Sequence, residues 1–168
     1  MLEGIELKTI ITGSKVNPSQ LPPSLSKYGL DTNEIAKKIS EMTKEYEGMR
    51  VKVTIIVDQK TKNYEIRIKP PTITEILLKL VGASQPSGDP INKKIGDLSL
   101  EDIIKAALLK RPDLTAKTIK AAVKTVLGSA RSIGITVNGK DPKEVIKEIN
   151  EGLHDELLKK YEEEWVKR

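Results

Sequence analysis

The chain contains no cysteine, which excludes disulfides, thiolate metal sites and cysteine nucleophiles and fits a reducing compartment. It has no phenylalanine, one tryptophan and four tyrosines in 168 residues, so its core has to be built from Ile, Leu, Val and Ala. One histidine, His154, lies in a polar C-terminal segment and reads as a solvated surface residue; a Ser/His/Asp triad would have no other base. Without a His/Cys cluster there is no metal site to predict, and the carboxylates of YEEEW read as a solvated helix face. Gly128 and Gly134 are six residues apart but fall within or at the end of a helical pattern, not between a strand and a helix where a phosphate loop belongs. No run approaches the roughly 20 apolar residues of a membrane span. The opening MLEGIELKTIITG lacks a basic segment followed by an apolar one. These absences predict a soluble cytoplasmic protein with no catalytic residues, cofactor, metal, small-molecule substrate or membrane partner.

What is present is charge. Asp, Glu, Lys and Arg make up 32 % of the residues and leave a net charge of +5, a balance that favours acidic partners, nucleic acid first among them. The excess is localised: residues 72–140 carry 11 Lys and Arg against 6 Asp and Glu, whereas 141–168 carry 6 against 9.

Patterning divides the chain. Glu3–Ile11 alternates as a strand, and Thr12–Leu25 is a loop rich in Pro, Ser and Gly. Asp31 with Glu34 predicts a capping box for a helix whose apolar face is Ile35, Ile39 and Met42 and which ends near Gly48. Met49–Val57 and Tyr64–Ile68 alternate as two further strands, giving a β-α-β-β unit over residues 1–69. Pro70 and Pro71 interrupt the pattern and mark a linker or hinge over 70–72, because proline removes a donor and forces its predecessor into an extended conformation.

From 73 to 140 the period is helical. Ile73, Ile76, Leu77 and Leu80 mark one helix; Leu100, Ile103, Ile104 and Leu108 a second, capped by Ser99 with Asp102 and ended by Pro112; Ile119, Val123, Val126, Ala130 and Ile133 a third. Three short helices predict a compact bundle. Asp141-Pro142-Lys143-Glu144 opens a further helix, broken at Gly152, in a helical extension over 141–168. The fold class expected is α+β.

The third helix carries the chemistry. At 3.6 residues per turn one side is apolar, while Ala121, Thr125, Gly128 and Ser132 form a second seam of small residues, flanked by Lys117, Lys120, Lys124 and Arg131. Such a seam suits close packing of another helix. It equally suits approach of an RNA backbone, since the shallow minor groove of A-form RNA presents hydroxyls that Ser and Thr can contact while Lys and Arg take phosphates. A second basic element, GASQPSGDPINKK over Gly82–Lys94, is expected to be loose in the free protein and to order on RNA.

KPPT at the joint, PSGDP with KKIGDLSLEDI, KRPDLTAKTIKAAVKTVLGSARSIGITV and GKDPKEVIKEI together resemble the large-subunit ribosomal protein eleven family, in its archaeal form. The resemblance covers nearly the whole chain and is most specific from Lys69 to Glu148. It implies a two-domain structural protein at the ribosomal stalk base. Its three-helix domain would bind and stabilise the GTPase-associated large-subunit rRNA. Its N-terminal domain would face translational GTPases and a neighbouring stalk-base protein.

Carried over by position, Gly128, Ser129, Ala130, Arg131 and Ser132 correspond to the RNA-contacting helix, and the seam reading adds Thr125, Lys124 and Lys117 as rRNA-binding candidates. Gly88, Pro90, Lys93 and Lys94 correspond to the RNA-ordered loop. The family's N-terminal loop, which takes part in factor response and thiazole-antibiotic binding, reads close to PGPPLGP. Here Asn17–Pro23 reads NPSQLPP, with Leu21 and Pro23 alone in register, so the factor-facing loop rests on Pro18, Leu21, Pro22 and Pro23 in a broken pattern. That departure motivates an alternative, a diverged ribosome-associated paralogue that modulates factor access.

Overall fold

The computed structural model describes residues 4–167, which form two compact units divided after Pro71. In the first, strand β1 (Ile5–Thr12) leads through a proline-rich segment and a short helix α1 (Ser24–Lys27) into α2 (Thr32–Met42), followed by β2 (Arg50–Val57) and β3 (Tyr64–Lys69). The three strands make one antiparallel sheet in the order β1-β2-β3. Alternation decides which face is buried: Val51, Val53, Ile55 and Val57 of the central strand are fully enclosed, together with Ile35 and Ile39 of α2.

Two details of α2 depart from expectation. Its N-cap is Asp31, but the carboxylate accepts from Asn33 N at 2.9 Å and Glu34 does not return the bond, so the cap is one-sided. The helix also stops at Met42 rather than near Gly48. The buried Thr43 ends it: its hydroxyl donates back to Ile39 O at 2.8 Å and accepts from Ser14 N at 3.2 Å, tying the helix end to the chain leaving β1.

The second unit opens with α3 (Ile73–Val81), then β4 (Gly96–Leu98), α4 (Leu100–Leu109), α5 (Ile119–Ile133), β5 (Ile135–Val137), α6 (Pro142–Asn150) and α7 (Asp155–Lys167). Local chemistry starts each helix. Thr72 and Glu75 form a reciprocal capping box on α3, and Ser99 with Asp102 form another on α4. Thr118 accepts from Ala121 N on α5, and Asp141, followed by proline, caps α6 through Lys143 N at 2.8 Å. Gly152, at φ +82°, separates α6 from α7.

α5 is the hub, touching α3, α4, α6 and α7. Its Ala122, Val123, Val126, Leu127 and Ala130 are fully buried. The extension belongs to this core. Trp165 of α7 is 1 % exposed; its indole N–H donates to Lys117 O at 3.4 Å and the Arg111 guanidinium lies 4.3 Å from its ring centroid, a cation–π contact of about 1 kcal/mol. One element was invisible to periodicity: β4 and β5 pair in parallel, Gly96 with Ile135 through Leu98 with Val137.

Candidate nucleic-acid interface

Thr125, Gly128 and Ser132 are exposed, Ala121 is half-buried, and the opposite side of α5 holds the core. A Cβ built at Gly128 meets nothing within 4 Å, so no neighbouring helix packs against the seam at Gly128. The seam is an outward, smooth strip of helix surface.

Its hydroxyls are oriented by the helix itself. Thr125 Oγ1 donates to Ala121 O at 3.1 Å, Ser129 Oγ to Thr125 O at 3.4 Å and Ser132 Oγ to Ser129 O at 2.7 Å. Each hydroxyl has one proton to give and two lone pairs to offer, and the proton is spent inside the helix. What faces outward is a row of acceptors, matched to a donor such as a ribose 2′-hydroxyl.

The cations beside the seam are held in place by the C-terminal helices. Arg131 Nε lies 3.1 Å from Asp141 Oδ1, Lys124 Nζ donates to Asn150 Oδ1 at 3.2 Å, and Lys120 Nζ sits 3.5 Å from Asp155 Oδ1. Asp141 is held below the usual carboxylate range, first by the Lys143 N–H it caps and then by the charge of Arg131, with a smaller contribution from Lys94. Lys117 is exposed just ahead of the Thr118 N-cap, and on the helix itself Lys120 and Arg131 stand about 16 Å apart along the axis, at 1.5 Å per residue. Basic groups therefore line the length of α5.

The loop of Gly82–Lys94 is fastened to the end of that helix. Ser87 N donates to Ile133 O at 3.0 Å and Ile95 N to Gly134 O at 2.8 Å. Within it Ser87 Oγ donates to Lys93 O at 2.6 Å, Lys93 N to Asp89 O at 2.8 Å and Lys94 Nζ to Pro90 O at 2.5 Å. Gly134 makes this seat possible. At φ +91° it caps α5 in the left-handed region, and a Cβ there would lie 2.8 Å from Ser87 Cβ. Gly88, Lys93 and Lys94 are exposed and Pro90 is half-buried.

The structure thus brings Gly128, Ser129, Arg131, Ser132, Gly88, Pro90, Lys93 and Lys94 to one end of α5, with Thr125 and Lys124 further along the same helix and Lys117 ahead of its N-cap. Ala130 is not among them: it is fully buried among the core residues, because it lies on the apolar face of α5, and offers no side-chain surface. Leu21 is likewise 4 % exposed, with Pro18 and Pro23 exposed and Pro22 half-buried around it. Pro70 and Pro71 are buried, and the first unit ends at Pro71. His154 is not a freely solvated residue: its Nε2 is 2.7 Å from Glu148 Oε2, and the same carboxylate group pairs with Lys140, which together with the histidine holds it below its usual range. Sequence reasoning missed Asp141, Asn150 and Asp155 as partners of the seam cations; that Asp141 caps a helix and that Gly152 breaks the chain between Asn150 and Asp155 was legible, but their distance from α5 was not.

Two family models match the chain: the RNA-binding domain of ribosomal protein L11 over residues 69–137 and its N-terminal domain over residues 7–64. The chain belongs to the ribosomal protein L11 family. It is 55 % identical over 160 residues to the large ribosomal subunit protein uL11 of Saccharolobus islandicus, covering 95 % of this chain and 94 % of that protein. The uL11 proteins of Desulfurococcus amylolyticus and Sulfolobus acidocaldarius are 52 % and 51 % identical, over 96 % and 95 % of this chain and 95 % and 94 % of theirs. L11-family membership makes it a structural ribosomal protein rather than an enzyme. The L11 RNA-binding model spans α3 through β5, and so contains both the seam and the loop seated on Gly134. No helix among the described residues is long and apolar enough to cross a membrane.

Proposed function

We propose that this chain is a cytoplasmic constituent of the large ribosomal subunit that binds and stabilises the GTPase-associated rRNA at the stalk base. In this reading residues 73–140 supply the RNA surface and residues 1–69 face translational GTPases and a neighbouring stalk-base protein. The extension, 141–168, steadies the RNA surface from behind. The observation that carries it is the open ground over Gly128, bordered by outward acceptors and by cations already oriented through Asp141, Asn150 and Asp155.

The mechanism is capture of folded RNA by a largely preformed face, which shifts the RNA population toward its compact form. Thr125, Ser129 and Ser132 accept from 2′-hydroxyls; Lys117, Lys124 and Arg131 neutralise phosphates; the loop carrying Gly88, Pro90, Lys93 and Lys94 closes over the RNA from the C-terminal end of α5. Phosphate contacts fix register, and the small seam lets the helix enter deeply. Pro18, Leu21, Pro22 and Pro23 form the factor-facing segment, with Leu21 anchoring it from within the core.

Binding to large-subunit rRNA across a salt series tests this. The wild-type protein is expected to protect a single compact stalk-base segment from hydroxyl radicals, and Arg131→Ala to flatten the slope of log affinity against log salt by about one. Protection scattered over many duplexes, or an unchanged slope, would contradict it. The alternative of a diverged paralogue governing factor access rests on the broken proline pattern at Asn17–Pro23. Quantitative mass spectrometry of large subunits separates the two: one copy per subunit, with no second family member, removes the paralogue.

A further inference from the structure

The N-terminal sheet has two unlike faces. α2 lies over one, since Lys38 Nζ donates to the Tyr64 hydroxyl at 2.6 Å and Tyr64 pairs with Val57 on the buried side. Antiparallel register fixes the contents of the other, because directly opposed residues point the same way. Its rows are Thr12–Arg50, Ile10–Lys52–Lys69, Lys8–Thr54–Arg67 and Glu6–Ile56–Glu65.

Charge is sorted along these rows. The two carboxylates sit at one end and are consumed there: Glu6 lies 3.3 Å from Lys8 Nζ, and Glu65 accepts from Arg67 Nε at 2.9 Å. At the other end Arg50, Lys52 and Lys69 have no ion pair or side-chain hydrogen bond among the described residues. Lys52 and Lys69 stand directly opposite one another, an arrangement that destabilises a sheet. In the same row Ile10 is 61 % exposed. A shallow depression of about 610 Å³ runs over Lys8, Ile10, Lys52, Thr54 and Lys69. Folding alone accounts for neither the opposed lysines nor the bare isoleucine.

We propose that this sheet face docks an acidic polypeptide segment of a partner protein, its carboxylates bridging Arg50, Lys52 and Lys69 and one apolar side chain seated on Ile10. Charge complementarity selects an anion, and two features select polypeptide over RNA. The apolar area of Ile10 would be wasted against a phosphate backbone. No aromatic side chain lies on this face to stack a base, Tyr64 being on the other. The proposal deepens the reading of the N-terminal unit as protein-facing and does not depend on α5.

The test is an amide-resolved NMR titration of the full chain with three probes: a 12-residue Asp/Glu peptide with one central leucine, the same peptide with serine in its place, and an oligouridylate of equal charge. The leucine peptide is expected to shift amides in the outer rows of β1, β2 and β3. Replacing Lys52→Gln with Lys69→Gln should weaken it roughly tenfold while leaving the melting temperature equal or higher, because the opposed charges are gone. Lys37→Gln with Lys44→Gln, the same charge change on the α2 side, should leave affinity within about twofold. Ile10→Ser should weaken the leucine peptide several-fold and the serine peptide hardly at all. Absence of shifts on this face, or equal binding by the Lys52/Lys69 variant, would overturn the proposal. Tighter binding of the oligouridylate to the same amides would replace polypeptide by RNA. Gly128→Val should bind the peptide as wild type does, so failure here and failure of the RNA reading are distinguishable.

Discussion

Gly128 and Gly134 lie six residues apart on one helix in opposite surroundings. At Gly128 the backbone is helical and a Cβ would meet nothing within 4 Å; at Gly134 φ is +91° and a Cβ would press on Ser87 at 2.8 Å and on the Lys93 carbonyl at 3.2 Å. One glycine is required by the fold, which needs a left-handed cap and a close seat for the 82–94 loop. The other is dispensable to the fold and costs helix stability, about 1 kcal/mol relative to alanine. A residue that weakens its own helix on an open surface points to something that must come close from outside.

The largest effect in this comparison is expected at the closed site. Gly134→Ala forces a side chain into the left-handed region and against the loop, so it should lower the stability of the C-terminal unit by about 2 kcal/mol or more. Urea denaturation measures this, and amide exchange should rise across Ser87–Ile95. If Gly134→Ala is instead as stable as wild type, the loop is not seated on the helix end and the contrast between the glycines collapses.

The smallest effect sharpens the electrostatic side of the comparison. Asp141→Asn keeps a good N-cap for α6 but removes the carboxylate that holds Arg131. Fold stability at neutral pH should fall by only a few tenths of a kcal/mol, and RNA affinity should stay within about twofold, because the lost orientation of Arg131 and the lost negative charge act in opposite directions. The pH dependence has a fixed sign. Because Asp141 is shifted down in the folded protein, its contribution is present above the ordinary carboxylate pKa and is lost as pH falls through the depressed value. Asp141→Asn should therefore flatten the acid limb of the stability curve: its small cost is present above about pH 5 and disappears as pH falls through the depressed value.

Much of this contrast was written locally. The helix caps at Ser99 and Asp141 and the break at Gly152 are short-range chemistry, and the strands of the N-terminal sheet are long enough for alternation to register. The small-residue seam was likewise legible from helical spacing on α5. Other features depend on distant pairing. β4 and β5 have three residues each, too few for a period, and meet only because α4 and α5 bring them together. Arg131 and Asp141 occupy different elements, and nothing in their spacing announces an ion pair. Ala130 was readable in two ways, as core by periodicity and as part of the RNA segment by position in the family, and burial decides for the core. The Gly82–Lys94 stretch, polar and rich in turn formers, read as loose. Its anchors on Ile133 and Gly134 are backbone hydrogen bonds that composition cannot encode.

The central claim is that the α5 seam was shaped by a ligand and not by folding, and Gly128→Val tests it most directly through paired measurement of thermal stability and rRNA affinity. With open space around Gly128, the variant should melt at or slightly above the wild-type temperature, the helix gaining a few tenths of a kcal/mol. Its affinity for the folded large-subunit rRNA segment should fall at least about tenfold, or 1.4 kcal/mol, because the added methyl groups hold the helix off the groove. Wild-type affinity, or a loss of stability that accounts for the loss of binding, would contradict the account.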